Sequence, residues 1–213
     1  MGAPQSVDDA AKRERILRAA LEVCRLHGME AARMEEVARR AGVSKGTLYR
    51  FFESKEDLLL ATVIASYEEG LQIVDSGVAS ARDPAARLDA YLEGLIQVLC
   101  AVGPRMSVHY QAWGVVARAP DYEARLNGFL RDFHARRDAE LEALIRDGQR
   151  TGVFRRDVDV AALTAGASML LSGFLYRTTF DPEGAGAESL RRCLRAMLRD
   201  ALLPEPGERA ADA

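Results

Sequence analysis

Residues 41–52 read "AGVSKGTLYRFF", and two incompatible local structures can be written on them. Gly42-Val43-Ser44-Lys45-Gly46 fits the G-x-S-x-G pattern of a hydrolase nucleophile elbow, with His109 and His134 downstream as candidate bases. The same letters fit the turn of a helix-turn-helix. An elbow needs a strand that enters a tight turn and leaves as a helix, whereas a DNA-reading turn needs helices on both sides. The flanking residues therefore decide.

Upstream, Ile16, Ala19, Ala20, Val23 and Cys24 recur at helical spacing within residues 8–27, and Gly28 supplies a stop. A short second helix is predicted over 34–40. Val37, Ala38 and Ala41 lie on one side of it, and Glu35 and Glu36 sit in its first turn, where negative charge suits the helix dipole. Gly42 breaks it. Ser44 is a good N-cap for a third helix through Phe52, with Leu48, Phe51 and Phe52 inward and Lys45, Gly46, Tyr49 and Arg50 outward. Ser54 caps a fourth helix, with Asp57 placed as in a capping box. No alternating strand pattern precedes Gly42, so the elbow lacks its strand and a serine hydrolase using Ser44 is the weaker alternative.

The remaining sequence also reads helical, over about 84–102, 104–118, 121–149, 157–180 and 188–203. The expected fold is all-α with about nine helices: a helix-turn-helix domain over 8–54, a larger helical domain over 55–204, and a disordered tail over 205–213. The formal net charge of −3 excludes a protein that coats nucleic acid through bulk positive charge. Residues 10–55, however, carry 11 Lys and Arg against 6 Asp and Glu, so the basic character is concentrated at the helix-turn-helix end. Cys24, Cys100 and Cys193 form no C-x-x-C pair, which argues against a zinc site and fits a reducing, cytoplasmic compartment. No metal-ligand spacing, phosphate loop or dinucleotide fingerprint is present, so no cofactor is expected. The uncharged span 160–176 is rich in Ala, Gly, Ser and Thr and reads as a buried helix rather than a membrane span.

Residues 28–59, "GMEAARMEEVARRAGVSKGTLYRFFESKEDLL", resemble the DNA-binding signature of the TetR family of transcriptional regulators. The resemblance covers about residues 12–60. It joins the helix-turn-helix to a Tyr49-x-x-Phe52 end and a Ser54-Lys55-Glu56-Asp57 helix start. Beyond Leu60 only helical composition and "GVFRRDVDV" (152–160), leading into a long apolar helix, carry over. The resemblance implies binding to a palindromic operator in double-stranded DNA, with Ser44 in the turn, Lys55 and Tyr49 on phosphates, and Lys45, Thr47 and Arg50 at or near base edges. Gly46 matters in this reading because a side chain there could hold the helix away from the DNA backbone. One departure stands out: the family commonly has Ser or Thr at the start of the second helix, where this chain has Ala32-Arg33. Arg33 either reaches a phosphate or is a solvated loop residue.

The family further implies a homodimer joined through a four-helix interface. Here Ala162, Gly166, Met169 and Gly173 of one helix and Leu190, Leu194 and Met197 of the last would supply it, unless both helices pack only within one subunit. It also implies a small-molecule effector. Met106, Tyr110, Trp113, Tyr122, Leu126, Phe129 and Phe133 cluster where the family's pockets lie, although such stripes are equally plain core. Arg137 occupies a slot in the inward register of its helix that should be apolar. Either a carboxylate such as Glu140 or Glu93 balances it, or it binds an anionic group on the effector. The expected protein is thus a repressor released by an effector, with no enzyme chemistry; the alternative within the family is a DNA-binding protein without one.

Overall fold

A computed structural model of the protein describes residues 7–102, 114, 118–181 and 186–203. Among them are eight α-helices and no strand. In chain order they are α1 (Val7–His27), α2 (Met34–Ala41), α3 (Lys45–Phe51), α4 (Lys55–Ser80), α5 (Pro84–Val102), α6 (Pro120–Arg150), α7 (Val160–Phe180) and α8 (Ala187–Leu194), the last continuing as a π-helical segment, Arg195–Asp200. The helix expected over 104–118 lies outside the described residues, and Met106, Tyr110 and Trp113 lie outside them too. The chain condenses into two compact units, residues 1–68 with 107–129, and 69–106 with 130–213.

In the first unit, α1 turns Ile16, Leu17, Ala20, Val23 and Cys24 into a core shared with Val37 and Ala38 of α2 and Leu48 of α3. Burial lifts the Cys24 thiol pKa to about 11, so it behaves as a small apolar filler. Gly42 takes the left-handed conformation (φ 67°), and the N–H groups that follow close on α2: Gly42 to Arg39 at 3.3 Å and Val43 to Ala38 at 3.0 Å. At the head of α4 the Asp57 N–H donates to Ser54 Oγ (3.0 Å), and the Asp57 carboxylate accepts in return from the N–H of Glu53 (3.3 Å), one residue before the Ser54 N–H that a capping box uses. The start of α2 has no such device. Arg33 is its N-cap and makes no side-chain cap bond, as the Ala32-Arg33 departure predicts.

The second unit packs the C-terminal part of α4, α5, most of α6, α7 and α8 around Leu88, Leu95, Leu141, Ile145, Leu194 and Leu198. Arg191 of α8 grips Glu93 of α5 through two hydrogen bonds, at 2.8 and 3.0 Å. Between α6 and α7 the chain makes a tight return: the N–H groups of Val153 and Phe154 both reach the Gly148 carbonyl, and Phe154 folds back over Gly148. Helix α7 begins three residues later than expected, because Asp159 is its N-cap, accepting from the Ala162 N–H at 3.1 Å, while Asp157 pairs with Arg155.

Two expectations are corrected here. The apolar helix α7 is not buried within the chain: only 22% of its 160–178 stretch is covered. Leu190 and Leu194, expected at a surface between subunits, are 3% and 0% exposed, because α8 turns that stripe into its own protomer's core.

Gly148 gives the sharpest test of this packing. A Cβ there would stand 1.9 Å from a Phe154 ring carbon, and Phe154 is itself buried. Gly148→Ala gains about 1 kcal/mol of helix propensity but overpacks the return by about 1–3 kcal/mol. Net destabilisation is expected, read as a lower urea midpoint at unchanged slope; a raised midpoint would show that Phe154 is not held there.

Candidate nucleic-acid interface

Helix α3 has seven residues, too few to stand alone, so its position depends on what holds it. Ser44 caps it, accepting from the Thr47 N–H at 3.0 Å and sharing a hydrogen bond with the Thr47 hydroxyl at 2.8 Å. Leu48 and, just past its end, Phe52 are buried beneath it, and the Arg13 guanidinium lies over the Phe52 ring. This rooting leaves Ser44, Lys45, Gly46, Tyr49 and Arg50 exposed and Thr47 half-buried. The outward residues are those expected, while Phe51 is only half-buried beneath the Arg50 guanidinium.

Two of the outward cations are already neutralised from neighbouring helices. Lys45 Nζ meets Glu35 of α2 at 2.5 Å, and Arg50 meets Asp9 of α1 at 2.7 Å. The hydrogen bond from Lys45 holds the Glu35 carboxyl below the usual carboxylate range, and the same bond pushes Lys45 up, so the pair is charged at neutral pH. Lys55, in the first turn of α4, donates to the Glu30 carbonyl at 2.6 Å and keeps two further donors. Arg33 is exposed beside the open start of α2. No sequence signal pointed to Asp9 or Glu35 as partners, because Asp9 lies 41 residues from Arg50 and only the fold brings them together.

Gly46 has no internal reason to be glycine. A Cβ there would meet only the Ser44 hydroxyl, at 3.9 Å, an ordinary contact. The elbow reading is weakened here: Ser44 is committed to capping between two helices and His134 packs against Phe133, while His109 lies outside the described residues.

Elsewhere, α7 carries an uncovered apolar stripe. Ala162, Gly166, Met169, Gly173, Tyr176 and Phe180 follow at alternating steps of four and three, the spacing of a helix–helix seam. Met169, Tyr176 and Phe180 are 73%, 61% and 69% exposed, whereas Met197, from the last helix, is half-buried with its sulfur 3.6 Å from where a Gly166 Cβ would be. Sequence reading missed Tyr176 and Phe180, although the same spacing runs through them. Of the expected effector residues, Phe133 lies under the Arg137 guanidinium, 5.8 Å from ring centre to Cζ. Phe129 instead meets the edge of Tyr67, and Tyr122 is bound through its hydroxyl to Ser54 at 3.1 Å.

Comparison with known proteins gives this geometry a context. The family described as "Bacterial regulatory proteins, tetR family" matches residues 16–62, and the "BetI-type transcriptional repressor, C-terminal" family matches 84–203. The HTH-type transcriptional regulator UidR of Escherichia coli K12 is 29% identical over 195 residues, covering 87% of this chain and 90% of that one. The HTH-type transcriptional repressor KstR of Mycolicibacterium smegmatis is 38% identical over 78 residues, 37% of this chain and 38% of its own. Among solved structures, a TetR transcription regulator from Haloarcula marismortui is similar with a TM-score of 0.72 at 22% identity, over 92% of this chain and 100% of the other. A transcriptional regulator from Saccharomonospora viridis in complex with choline scores 0.71 at 21% identity, with the same coverage. A helix-turn-helix with a solvent-facing third helix and family matches over both units together lead to one conclusion: the chain belongs to the TetR family of DNA-binding transcriptional regulators.

Proposed function

We propose that the protein is a homodimeric repressor that reads a palindromic operator with α3 and leaves it when a small effector binds the second unit. The observation that carries the DNA reading is Gly46, a glycine unneeded by the protein on the outward face of a helix rooted from below. Bare backbone there lets α3 enter the major groove closely. Lys45, Thr47 and Arg50 then stand at or near base edges, and Tyr49, Lys55 and Arg33 on phosphates that fix its register, while Ser44 holds the helix start. Binding requires Lys45 and Arg50 to exchange or share their present carboxylates.

The dimer reading is supported by the α7 stripe. A seam of small residues with Met169, Tyr176 and Phe180 standing out is left uncovered by its own chain, and two copies would cover each other's. Leu190 and Leu194 support this surface from beneath rather than forming it. The repressor sign is favoured by the names of the C-terminal family and of KstR, and an effector by the choline-bound relative in fold. The domain division this reading uses is a reading head over 8–54, an effector and dimerisation domain over 55–204 and a tail beyond, in a protein working in the cytoplasm.

Three outcomes test it. Gly46→Ala should leave the unfolding midpoint unchanged or raise it, since alanine gains about 1 kcal/mol in a helix, yet weaken operator binding; unimpaired binding would remove the close-approach argument. Lys55→Ala should weaken binding to all sequences and lower the slope of log K against log salt by about 0.9 for each phosphate that Lys55 neutralises, and an unchanged slope would take Lys55 off the backbone. Gly173→Arg should fold, because nothing lies within 4 Å of its Cβ in the protomer, but should give monomers with weakened operator affinity. A Gly173→Arg dimer with full affinity would place the interface elsewhere.

A further inference from the structure

We propose that Arg137 is the receptor for a monoanionic head group, so that the effector is an amphiphile carrying one carboxylate on an apolar body; this rests on the effector-responsive reading above. Arg137 sits on α6 in the inward register that continues through Leu141 and Ile145, which are fully buried. Leu130, Phe133 and Arg137 are only half-buried, so apolar surface is left uncovered where the charge stands. The Nε of Arg137 is buried and has no hydrogen-bond partner. Its guanidinium lies over the Phe133 ring, an aromatic floor for a planar cation.

The carboxylates that would neutralise it are engaged elsewhere. Glu93 is bound by the fork of Arg191, Glu140 lies 3.6 Å from Arg136, and Asp138 accepts the Ser168 hydroxyl. Tyr91, buried on α5, donates to the Arg137 backbone carbonyl at 3.3 Å and its hydroxyl also interacts with the Arg137 side chain, which fixes this turn of α6 while Nε stays unpaired. A buried N–H left unpaired is costly, and an anionic group that accepts from it would remove that cost. Nε and one terminal nitrogen form the edge that receives a carboxylate through two parallel bonds.

The surroundings set the charge the site accepts. Asp75, Asp138 and Glu140 are all close enough to act on this region, and burial, followed by repulsion from Asp75, raises the Glu140 carboxyl above its usual range. Burial and then the Arg137 charge lower His134, leaving it neutral near pH 7. The acids oppose any anion at Arg137 and a phosphate dianion more than a carboxylate, so the fork of the guanidinium must be met by a singly charged group.

The experiment uses three probes with one tail and different heads: decanoate, decan-1-ol and decyltrimethylammonium, each below its micelle concentration. Thermal shift of the full chain reads binding, and release of a DNA fragment selected by the protein from a random library reads the effector response. Decanoate should raise the melting temperature of the parent protein more than the alcohol or the cation. Arg137→Gln should weaken decanoate binding about 10- to 100-fold, and Arg137→Lys should restore part of it. Unliganded Arg137→Met should melt at the same temperature or higher, because it removes an unpaired donor, which shows that any loss of binding is not a loss of folding. Decanoate no better than decan-1-ol, or binding unchanged in Arg137→Gln, overturns the proposal. If decyltrimethylammonium alone releases the DNA, the effector reading survives and the Arg137 assignment falls. If decanoate binds through Arg137 yet leaves DNA affinity unchanged, the anion site stands and the effector reading falls.

Discussion

The structure of the reading head depends on fixing a seven-residue helix that has almost no stability of its own. Its start is set by the Ser44 cap, its entry by the reversal at Gly42 and its depth by Leu48 and Phe52, both within 2% of full burial. Each of these constraints acts from below or from the ends, so none occupies the outward face. The same logic explains why α1 contributes apolar residues on one side only: its buried face packs against α2, which leads into α3, and Asp9 from its first turn reaches around to Arg50. A helix held in this way can present side chains with little further loss of conformational freedom on binding.

The second unit is built on a different balance. Its core is closed by apolar layers and by the Arg191–Glu93 clamp, yet among the described residues the seam of α7 is bare and both the Nε of Arg137 and the Oγ1 of Thr164 are buried without a partner. Such features are energetically unfavourable in isolation. On the reading proposed above, the apolar seam serves association and the Arg137 orphan serves ligand capture, two separate events.

How much of this was legible in the sequence follows from the range of the interactions. The caps at Ser44 and Ser54, the break at Gly42 and the bounds of α5 rest on contacts within a few residues, and the letters carry them. The start of α7 reads three residues early, because Asp157 and Asp159 are equally good caps by letter and only the pairing of Asp157 with Arg155 separates them. Leu190 and Leu194 share a stripe with Met197, and periodicity shows that a stripe is covered without showing by which chain. Arg137 is visible as a charge in an apolar register. That Glu93 is taken by Arg191 depends on the packing of α5 against α8, whereas the Arg136–Glu140 pair is an i,i+4 contact within α6.

The pairing of Lys45 with Glu35 and of Arg50 with Asp9 has a consequence for how the protein travels. A cation that carries its own carboxylate brings fewer condensed ions off a DNA backbone when it lands on an arbitrary sequence, so the free energy of casual contact is small. Only a site whose base edges outbid Glu35 and Asp9 recovers the full interaction. If Lys45 and Arg50 meet DNA as proposed above, the two carboxylates shorten the time spent on wrong sequence, which dominates the search when a genome offers a vast excess of it. On that reading the acidic residues are internal competitors for DNA, and the net charge of −3 is compatible with a protein that must leave most of the DNA it meets.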